Sequence, residues 1–301
     1  MTTQAVPSTK LDLSRPSGAR TVKNSLALVL CALAGALAVV PLVWILWSVV
    51  SQGIGVITNA EWWLEDQVGL TMRRFGGGAL HALVGTLEIG LMTAVVAVPL
   101  GILGAIYLVE YGRGKKASRW ISFTVDILGG IPSIVAALFV YALVITILGL
   151  NRSAIAAALS LVLLMLPVVL RSTEEMLKLV PDSLREASYA LGVPKWKTVL
   201  QVVLPTSFGG IATGVVLGLA RVMGETAPLL ILVSYATNLE GNPTSGVMAT
   251  LPTMINIGRD NPEQMPGYAR VWGAALTLIL LVMLLNLLAR AIARATKLKE
   301  R

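Results

Sequence analysis

The sequence is poor in the residues that soluble enzymes most often use for chemistry. Its 301 residues include one cysteine, Cys31, and one histidine, His81. An internal disulfide is therefore excluded, and so are zinc sites built from several histidine or cysteine ligands. Charged residues make up 13% of the chain, about half the usual ~25% of soluble domains. A freely soluble globular domain is not expected from this composition.

Motifs for nucleotide binding and hydrolysis are missing as well. The segment 112–116 reads Gly-Arg-Gly-Lys-Lys, without the upstream glycine spacing of a P-loop and without Ser or Thr after the lysine. The chain has neither a G-x-S-x-G nucleophile elbow nor an H-E-x-x-H zinc motif. We expect no enzyme activity of its own, no metal and no cofactor. Energy for any active process must come from another protein.

Long apolar runs dominate what is present. Hydrophobic residues make up 55% of the chain and the mean hydropathy is +0.78, as in polytopic membrane proteins. The first run is longer than the core of a signal peptide and lacks a small-residue cleavage pattern, so we interpret it as a retained span. The pattern predicts an all-α membrane protein with six transmembrane helices. The predicted spans are 25–50, 82–109, 121–148, 153–170, 208–236 and 271–289.

The net charge of +8 follows the predicted membrane topology. Four Lys or Arg residues precede the first span, four lie in 111–119, five in 171–207 and five from Arg290 onward, which is 18 of 24. They do not form an aromatic-rich basic face, so no nucleic-acid partner is expected. The positive-inside rule places both termini in the cytoplasm. We predict a tail at 1–24 that touches membrane lipid, a transmembrane domain at 25–293 and a second tail at 294–301.

A polar, well-punctuated segment lies between the fourth and fifth predicted spans. Ser183 and Glu186 fit an S-x-x-E capping box, and Gly192 is placed to end the helix in a left-handed conformation. The pattern predicts a short helix at about 184–191. Its face of small and apolar groups is suited to a groove on another protein, although an ordinary helical hairpin is the simpler alternative. That face comprises Leu184, Ala187, Ser188 and Leu191.

Charge and glycine coincide in the fifth predicted span. Gly210, Gly214, Gly218, Arg221 and Glu225 fall on one stripe of a continuous helix, which predicts close contact with a second helix and a face turned away from lipid. An arginine well inside the hydrocarbon region needs a partner or water, and Glu225 is an available partner. The stripe favours a permeation site at which guanidinium donors bind an oxyanion. A buried structural ion pair is the alternative.

The segment 186–205 resembles the cytoplasmic signature loop by which permeases of bacterial ABC importers dock on their ATPase, with Ser188 and Val202 in place of the usual Ala and Ile. Further motifs narrow the resemblance to the PstA-type permeases of the phosphate-specific ABC importer. Ala227-Pro228 favours that subunit over its sister permease. The motifs are Arg221 with Gly224–Pro228, His81–Leu87, Gly130–Ser133 and Arg171-x3-Glu175.

The resemblance implies a type I ABC importer permease in the bacterial cytoplasmic membrane. It implies a sister PstC-type permease, two PstB-type ATPase subunits that bind ATP and magnesium, and an extracytoplasmic PstS-type phosphate-binding protein. Glu186, Ala187, Ser188 and Gly192 would then couple to the ATPase. The substrate pathway would include Arg221 and Glu225, with Thr226 as an additional donor.

Three other functions stay open from the residues alone. Arg221 does not distinguish phosphate from sulfate or molybdate. A proton-linked secondary transporter gated by Arg221 and Glu225 is a second alternative, and a non-transporting scaffold or phosphate sensor is a third. The signature loop argues against the last two.

Overall fold

The computed structural model describes the backbone of residues 18–298 and the side chains of residues 21–294. The chain divides into two units, one that ends at Ser48 and a second that begins at Val49. The predicted tail 1–24 lies largely outside the described residues, and the first helix already begins at Gly18. The helices are α1 (Gly18–Ile57), α2 (Glu61–Leu64), α3 (Leu80–Ile106), α4 (Lys116–Gly130), α5 (Ser133–Val140), α6 (Ala154–Lys178), α7 (Asp182–Ala190), α8 (Lys195–Thr198), α9 (Leu204–Met223), α10 (Ala227–Leu232), α11 (Leu251–Arg259) and α12 (Ala269–Leu298).

Within the described residues, five continuous helical stretches are long and apolar enough to cross a membrane. Short π-helical turns extend α3 to Tyr111 and join α8 to α9. A bent pair of helices raises the number of spans to six. The all-α, polytopic membrane fold is therefore confirmed. The five stretches are Thr21–Ile57, Leu80–Tyr111, Ala154–Lys178, Lys195–Met223 and Pro266–Arg294.

The third predicted span, 121–148, is not a single straight helix. Its two halves, α4 and α5, meet at an angle of 107°. The break falls at Ile131 and Pro132, both extended or nearly so (ψ 129° and 139°). Proline has no N–H for an α-helical bond and disfavours helical geometry at the preceding residue, which ends α4 at Gly130.

The fifth predicted span, 208–236, is also wrong at both ends. Its helix runs without a break from Lys195 to Met223 and then stops. Gly224 has no side chain to pack, and Pro228 stands in the first turn of a new helix, α10. Proline is well tolerated there because the first N–H groups of a helix have no intrahelical partner. The charged end of the span is therefore a helix terminus.

Three helices form the centre of the second unit. α6 packs on both α3 and α9, and α12 packs on α9 and α11. Small residues allow the close approach: a Cβ at Gly101 or Gly104 of α3 would meet Val169 or Leu170 of α6. Such small-residue contacts replace the hydrophobic driving force that is weak between helices in lipid. α6 is consequently the helix to which α3 and α9 are fixed.

Candidate functional site

Arg221 lies in the last turn of α9, and its side chain is exposed. The side chain has no hydrogen bond or ion pair with any other described residue of this chain. A cation in the last turn of a helix interacts favourably with the unsatisfied carbonyl groups there. That position explains how an unpaired arginine is accommodated, and it leaves all five guanidinium donors free for a ligand or a partner.

Glu225 and Thr226 follow Arg221 in the short connection between α9 and α10. Both are half-buried, and Thr226 is the residue that precedes α10 without forming a side-chain cap. Glu225 forms no ion pair with Arg221, so the structure does not contain the pair that the sequence offered. The reason is the helix end at Met223, because Glu225 no longer follows the helical stripe. The three residues are neighbours at a helix break.

The three glycines of α9 face α6. A Cβ at Gly210 would collide with Met176, and one at Gly214 would collide with the side chain of Ser172. At Gly218 the nearest atoms, of Val169, Met165 and Val168, lie at 3.4–3.6 Å, an ordinary van der Waals distance. The glycine row therefore positions α9 tightly on α6 below the turn that carries Arg221.

α7 and α8 form a short hairpin between α6 and α9. Gly192 has φ +76°, and the amide N–H groups of Gly192 and Val193 donate to the carbonyls of Tyr189 (2.9 Å) and Ser188 (3.2 Å). A left-handed residue after the last turn is the usual way to end a helix, and glycine adopts it without a steric penalty. The predicted glycine stop is thus confirmed. Pro194 then precedes α8.

Two expectations for α7 are wrong. The helix begins at Asp182, with Pro181 before it, so Ser183 is already inside the first turn and makes no capping bond. Ser188 faces inward: it is buried and its hydroxyl lies 2.8 Å from that of Thr198. Helix α7 starts earlier than predicted because Asp182 favours a first turn, where its charge complements the helix dipole.

The outward side of α7, together with Leu191 just after it, carries exposed apolar side chains beside Glu186 and is uncovered within the described residues. Glu186 and Ala187 are exposed, as are Leu184 (41%) and Leu191 (84%). Exposed leucines at this spacing on a short helix are typical of a surface that binds in a groove. Ser188 contributes to this face only by holding α7 against α8.

Sequence reasoning missed an ion pair at the inner side of the same hairpin. A glutamate at the end of an apolar run is normally solvated, but Glu110 is only 6% exposed, and Arg185 binds it with an Nη2–Oε1 distance of 2.8 Å. Each residue lies beside a feature that the sequence reveals: Glu110 follows a predicted span, and Arg185 precedes Glu186 in the predicted short helix. Their separation of 75 residues gave no pattern that would join them.

A second charged cluster joins α4 to α6. Arg171 donates to Asp126 (2.5 Å) and to Glu174 (2.5 Å), and Lys178 donates to Glu174 (2.7 Å). The backbone carbonyl of Ser122 accepts a further bond of 3.0 Å. Glu174 is only 7% exposed. The cluster fixes the bent helix α4 against α6.

A row of polar side chains lies at the N-terminal end of α3, opposite the end that leads to Glu110. His81 Nε2 is 3.3 Å from the hydroxyl of Tyr235, which in turn is 3.4 Å from Oε1 of Gln67. Burial raises the pKa of Tyr235 to about 12, so its hydroxyl stays protonated at physiological pH. The phenol donates to Gln67 and its oxygen lies beside His81, so it connects the segment after α10 to α3 and to the segment before α3.

The fold defines a class of protein. Permeases of solved ABC importers have the same helix arrangement: the MetNI methionine transporter matches with a TM-score of 0.55 at 22% identity over 72% of this chain and 94% of the other. An importer of the acidic polysaccharide alginate matches with a TM-score of 0.53 at 17% identity, over 72% and 79%. This is the type I ABC importer permease fold.

Sequence comparison gives the family. The model of the binding-protein-dependent transport system inner membrane component matches residues 97–298. The phosphate transport system permease protein PstA 1 of Mycobacterium tuberculosis is 53% identical over 91% of this chain and 88% of its own length. The PstA proteins of Mycobacterium leprae and Yersinia pestis are 51% and 40% identical, over 90% and 91% of this chain and 89% and 90% of theirs. The chain therefore belongs to the PstA family of multi-pass membrane permeases.

Proposed function

We propose that this chain is the permease subunit of an ATP-driven importer and that it translocates inorganic phosphate across the cytoplasmic membrane. The observation that carries the proposal is the 53% identity to a phosphate transport permease over 91% of the chain. Arg221, exposed at a helix break and without a side-chain partner in the described part of the chain, supports it, because an anion pathway needs a cation that is not already neutralised.

Arg221, Glu225 and Thr226 form the proposed substrate pathway. The planar guanidinium matches the geometry of phosphate oxygens, and a hydroxyl such as that of Thr226 adds a neutral donor. Glu225 limits the net positive charge, so that the anion is attracted without being trapped. Desolvating phosphate is costly, and several donors are needed to replace its water.

The proposed orientation follows from the distribution of Lys and Arg, which places both termini and the α7–α8 hairpin in the cytoplasm. The residues that dock on an ATPase subunit are Glu186, Ala187, Leu184 and Leu191. Gly192 shapes the end of the docking helix. The proposed partners are a PstC-type sister permease, two PstB-type ATPases and a PstS-type phosphate-binding protein. ATP and magnesium bind to the ATPases, and this chain needs no cofactor.

In the proposed cycle, nucleotide binding closes the ATPase pair and pushes α7. The movement passes to the central helices and exposes the Arg221 region to the loaded binding protein. ATP hydrolysis releases the push, and the site reopens toward the cytoplasm. The site thereby alternates between the two sides of the membrane without a continuous channel.

The test is uptake of labelled phosphate by cells that lack this chain, with and without its expression. We expect expression to restore uptake that requires ATP and that resists a large excess of sulfate. Uptake driven by a proton gradient without an ATPase would contradict the proposal and favour a secondary transporter. Strong inhibition by sulfate or molybdate would instead identify another oxyanion as the substrate.

A further inference from the structure

The ion pair between Arg185 and Glu110 is the most enclosed charged contact of the α7–α8 hairpin. The two side chains are 7% and 4% exposed. Nε and Nη2 of Arg185 donate to the same oxygen, Oε1 of Glu110, at 3.0 and 2.8 Å. Glu110 belongs to the π-helical turn that extends α3. One side chain of the hairpin is therefore bound directly to the end of a membrane-spanning helix.

Every N–H donor of Arg185 is used. Besides the two bonds to Glu110, Nη2 donates to the carbonyl of Leu177 (2.9 Å), and Nη1 donates to the carbonyl of Val180 (2.6 Å) and to Asp182 (3.1 Å). Leu177 lies in the last turn of α6, where the helical carbonyls lack an i+4 donor within the helix, and Val180 lies two residues after its end. Arg185 thus joins α7 to the ends of both α3 and α6 with a saturated, planar group.

α8, the second helix of the hairpin, also contacts Glu110. Lys195 Nζ donates to the backbone carbonyl of Glu110, and it lies 5.0 Å from the centre of the Tyr111 ring. The hydroxyls of Ser188 and Thr198 are 2.8 Å apart and connect α7 to α8. The carboxylate and the carbonyl of Glu110 are therefore held by different helices of the hairpin, which makes a shift between them costly.

We propose that the Arg185–Glu110 pair is the link that carries movement of α7 to α3 and α6, and that it stays closed throughout the transport cycle. The inference rests on the proposed function, since it assumes that a partner pushes α7. Arg185 is a positioning residue, because it lies on the inner side of α7 rather than on the docking face. From α3 and α6 the movement reaches α9, which packs on α6 and carries Arg221.

The chemistry favours a mechanical role over a purely stabilising one. Burying two charges has a desolvation cost that often equals or exceeds their attraction, so apolar side chains would stabilise the contact at least as well. A saturated guanidinium provides fixed geometry in three directions instead. Lysine has three donors on one nitrogen and does not reproduce that fork.

Substitutions that preserve size separate the two roles. We expect importers with Arg185→Lys or Glu110→Gln, reconstituted in proteoliposomes, to hydrolyse ATP while the phosphate transported per ATP falls about tenfold. Arg113→Gln is the matched control, because Arg113, in the turn after α3, reaches Asp182 of the hairpin only at 3.9 Å, with both side chains 66% exposed. The control should keep the normal ratio. A ratio unchanged in all three variants, with only lower thermal stability, would overturn the proposal.

A cross-link tests whether the pair stays closed. Cys31 is the chain's only cysteine, so Glu110→Cys with Arg185→Cys in a Cys31→Ser background gives two reactive positions. A cleft of about 280 Å³ borders both residues, and a short bis-maleimide serves as the cross-linker. We expect the double variant to be poorly coupled before reaction and to regain most of its phosphate-to-ATP ratio afterwards. Loss of the remaining transport on cross-linking would mean that the pair must open, and would overturn the proposal.

The two levels of inference fail differently. If the unsubstituted importer takes up no phosphate, the proposed substrate is wrong, whereas the link is still tested by its ATPase activity. A closed link requires that a loaded binding protein stimulates ATP hydrolysis in the cross-linked importer and much less in the same variant before reaction. Equal stimulation before and after the reaction would overturn the link alone.

Discussion

Arg185 and Arg221 occupy two regions with opposite surroundings. Arg185 is buried, and its five donors are bound to carbonyl and carboxylate oxygens. Arg221 is exposed at the end of α9 and has no side-chain partner among the described residues. A saturated arginine fixes the backbone around it and has nothing left for a ligand. An arginine kept without a partner in an apolar segment is available to an anion. We propose accordingly that Arg185 transmits movement and that Arg221 contacts the substrate.

The largest expected effect comes from removing one carboxylate in each region. Glu110→Ala removes the buried counter-ion of Arg185 and leaves only the exposed Asp182 as an ion-pair partner, and we expect a loss of about 3–5 kcal/mol in the free energy of unfolding. Glu225→Ala removes a half-buried carboxylate without a partner, and the expected change is within about 0.5 kcal/mol. Unfolding by SDS in mixed micelles measures both. Equal losses would erase the distinction between the two regions.

A double replacement sharpens the same contrast. Arg185→Met with Glu110→Leu removes both charges together, so the remaining loss of stability should be well below that of Glu110→Ala alone. The double variant should nevertheless transport poorly, because an apolar contact does not hold α7 to the end of α3 in a fixed direction. Folding stability and phosphate uptake, measured on the same preparation, should therefore separate. A double variant that is both stable and fully active would contradict the mechanical role.

An intermediate effect is expected where α9 meets α6. A methyl group at Gly214 would collide with Ser172, so Gly214→Ala should destabilise by about 1–3 kcal/mol. Gly218→Ala is the matched control, because its nearest neighbours are 3.4–3.6 Å away and alanine gains about 1 kcal/mol of helix propensity. Adding Ser172→Gly to Gly214→Ala should restore part of the loss. Thermal unfolding in detergent measures the series, and identical midpoints for the two alanine variants would refute the tight contact.

The smallest expected effect on stability comes from substituting Gly192 and Gly224, the glycines at the ends of α7 and α9. Gly192 has φ +76° and Gly224 has φ −91°. Gly192→Ala should cost about 1–2 kcal/mol because a Cβ is strained in the left-handed region. Gly224→Ala should be close to neutral, with the carbonyl oxygen of Arg221 as its nearest neighbour at 3.6 Å. Thermal midpoints in detergent should differ in that order, and the reverse order would show that Gly192 is not held as described.

Long apolar runs predicted the fold well because a run of about 20 residues has few alternatives to a membrane helix. The role of Gly192 as a helix stop was equally predictable, because glycine commonly ends a helix in the left-handed conformation and Gly192 directly follows the predicted helix at 184–191. Proline predicts a kink at Pro132, but hydropathy gives neither the size of that bend nor the end of α9 at Met223, because it does not register a break inside an apolar segment. The end of α9 also moves Glu225 off the stripe of Arg221.

Buried charge pairs were the main features that sequence did not reveal. Glu110 and Glu174 flank apolar runs, where a charged residue is normally solvated, and their partners are set by helix packing. The Ser183–Glu186 capping box failed for a local reason, because α7 starts one residue before Ser183. The roles of Arg221, Glu225 and Thr226 in phosphate passage remain predictions that the helix break makes more specific.

The most direct measurement is labelled-phosphate uptake by an Arg221→Ala importer at membrane abundance equal to the unsubstituted one, with Arg113→Gln as control and ATP hydrolysis followed in parallel. The account predicts that Arg221→Ala loses about 100-fold or more in uptake, that its basal ATP hydrolysis continues and that the control transports normally. Normal phosphate uptake by Arg221→Ala would show that this arginine ends a helix and does not carry the anion.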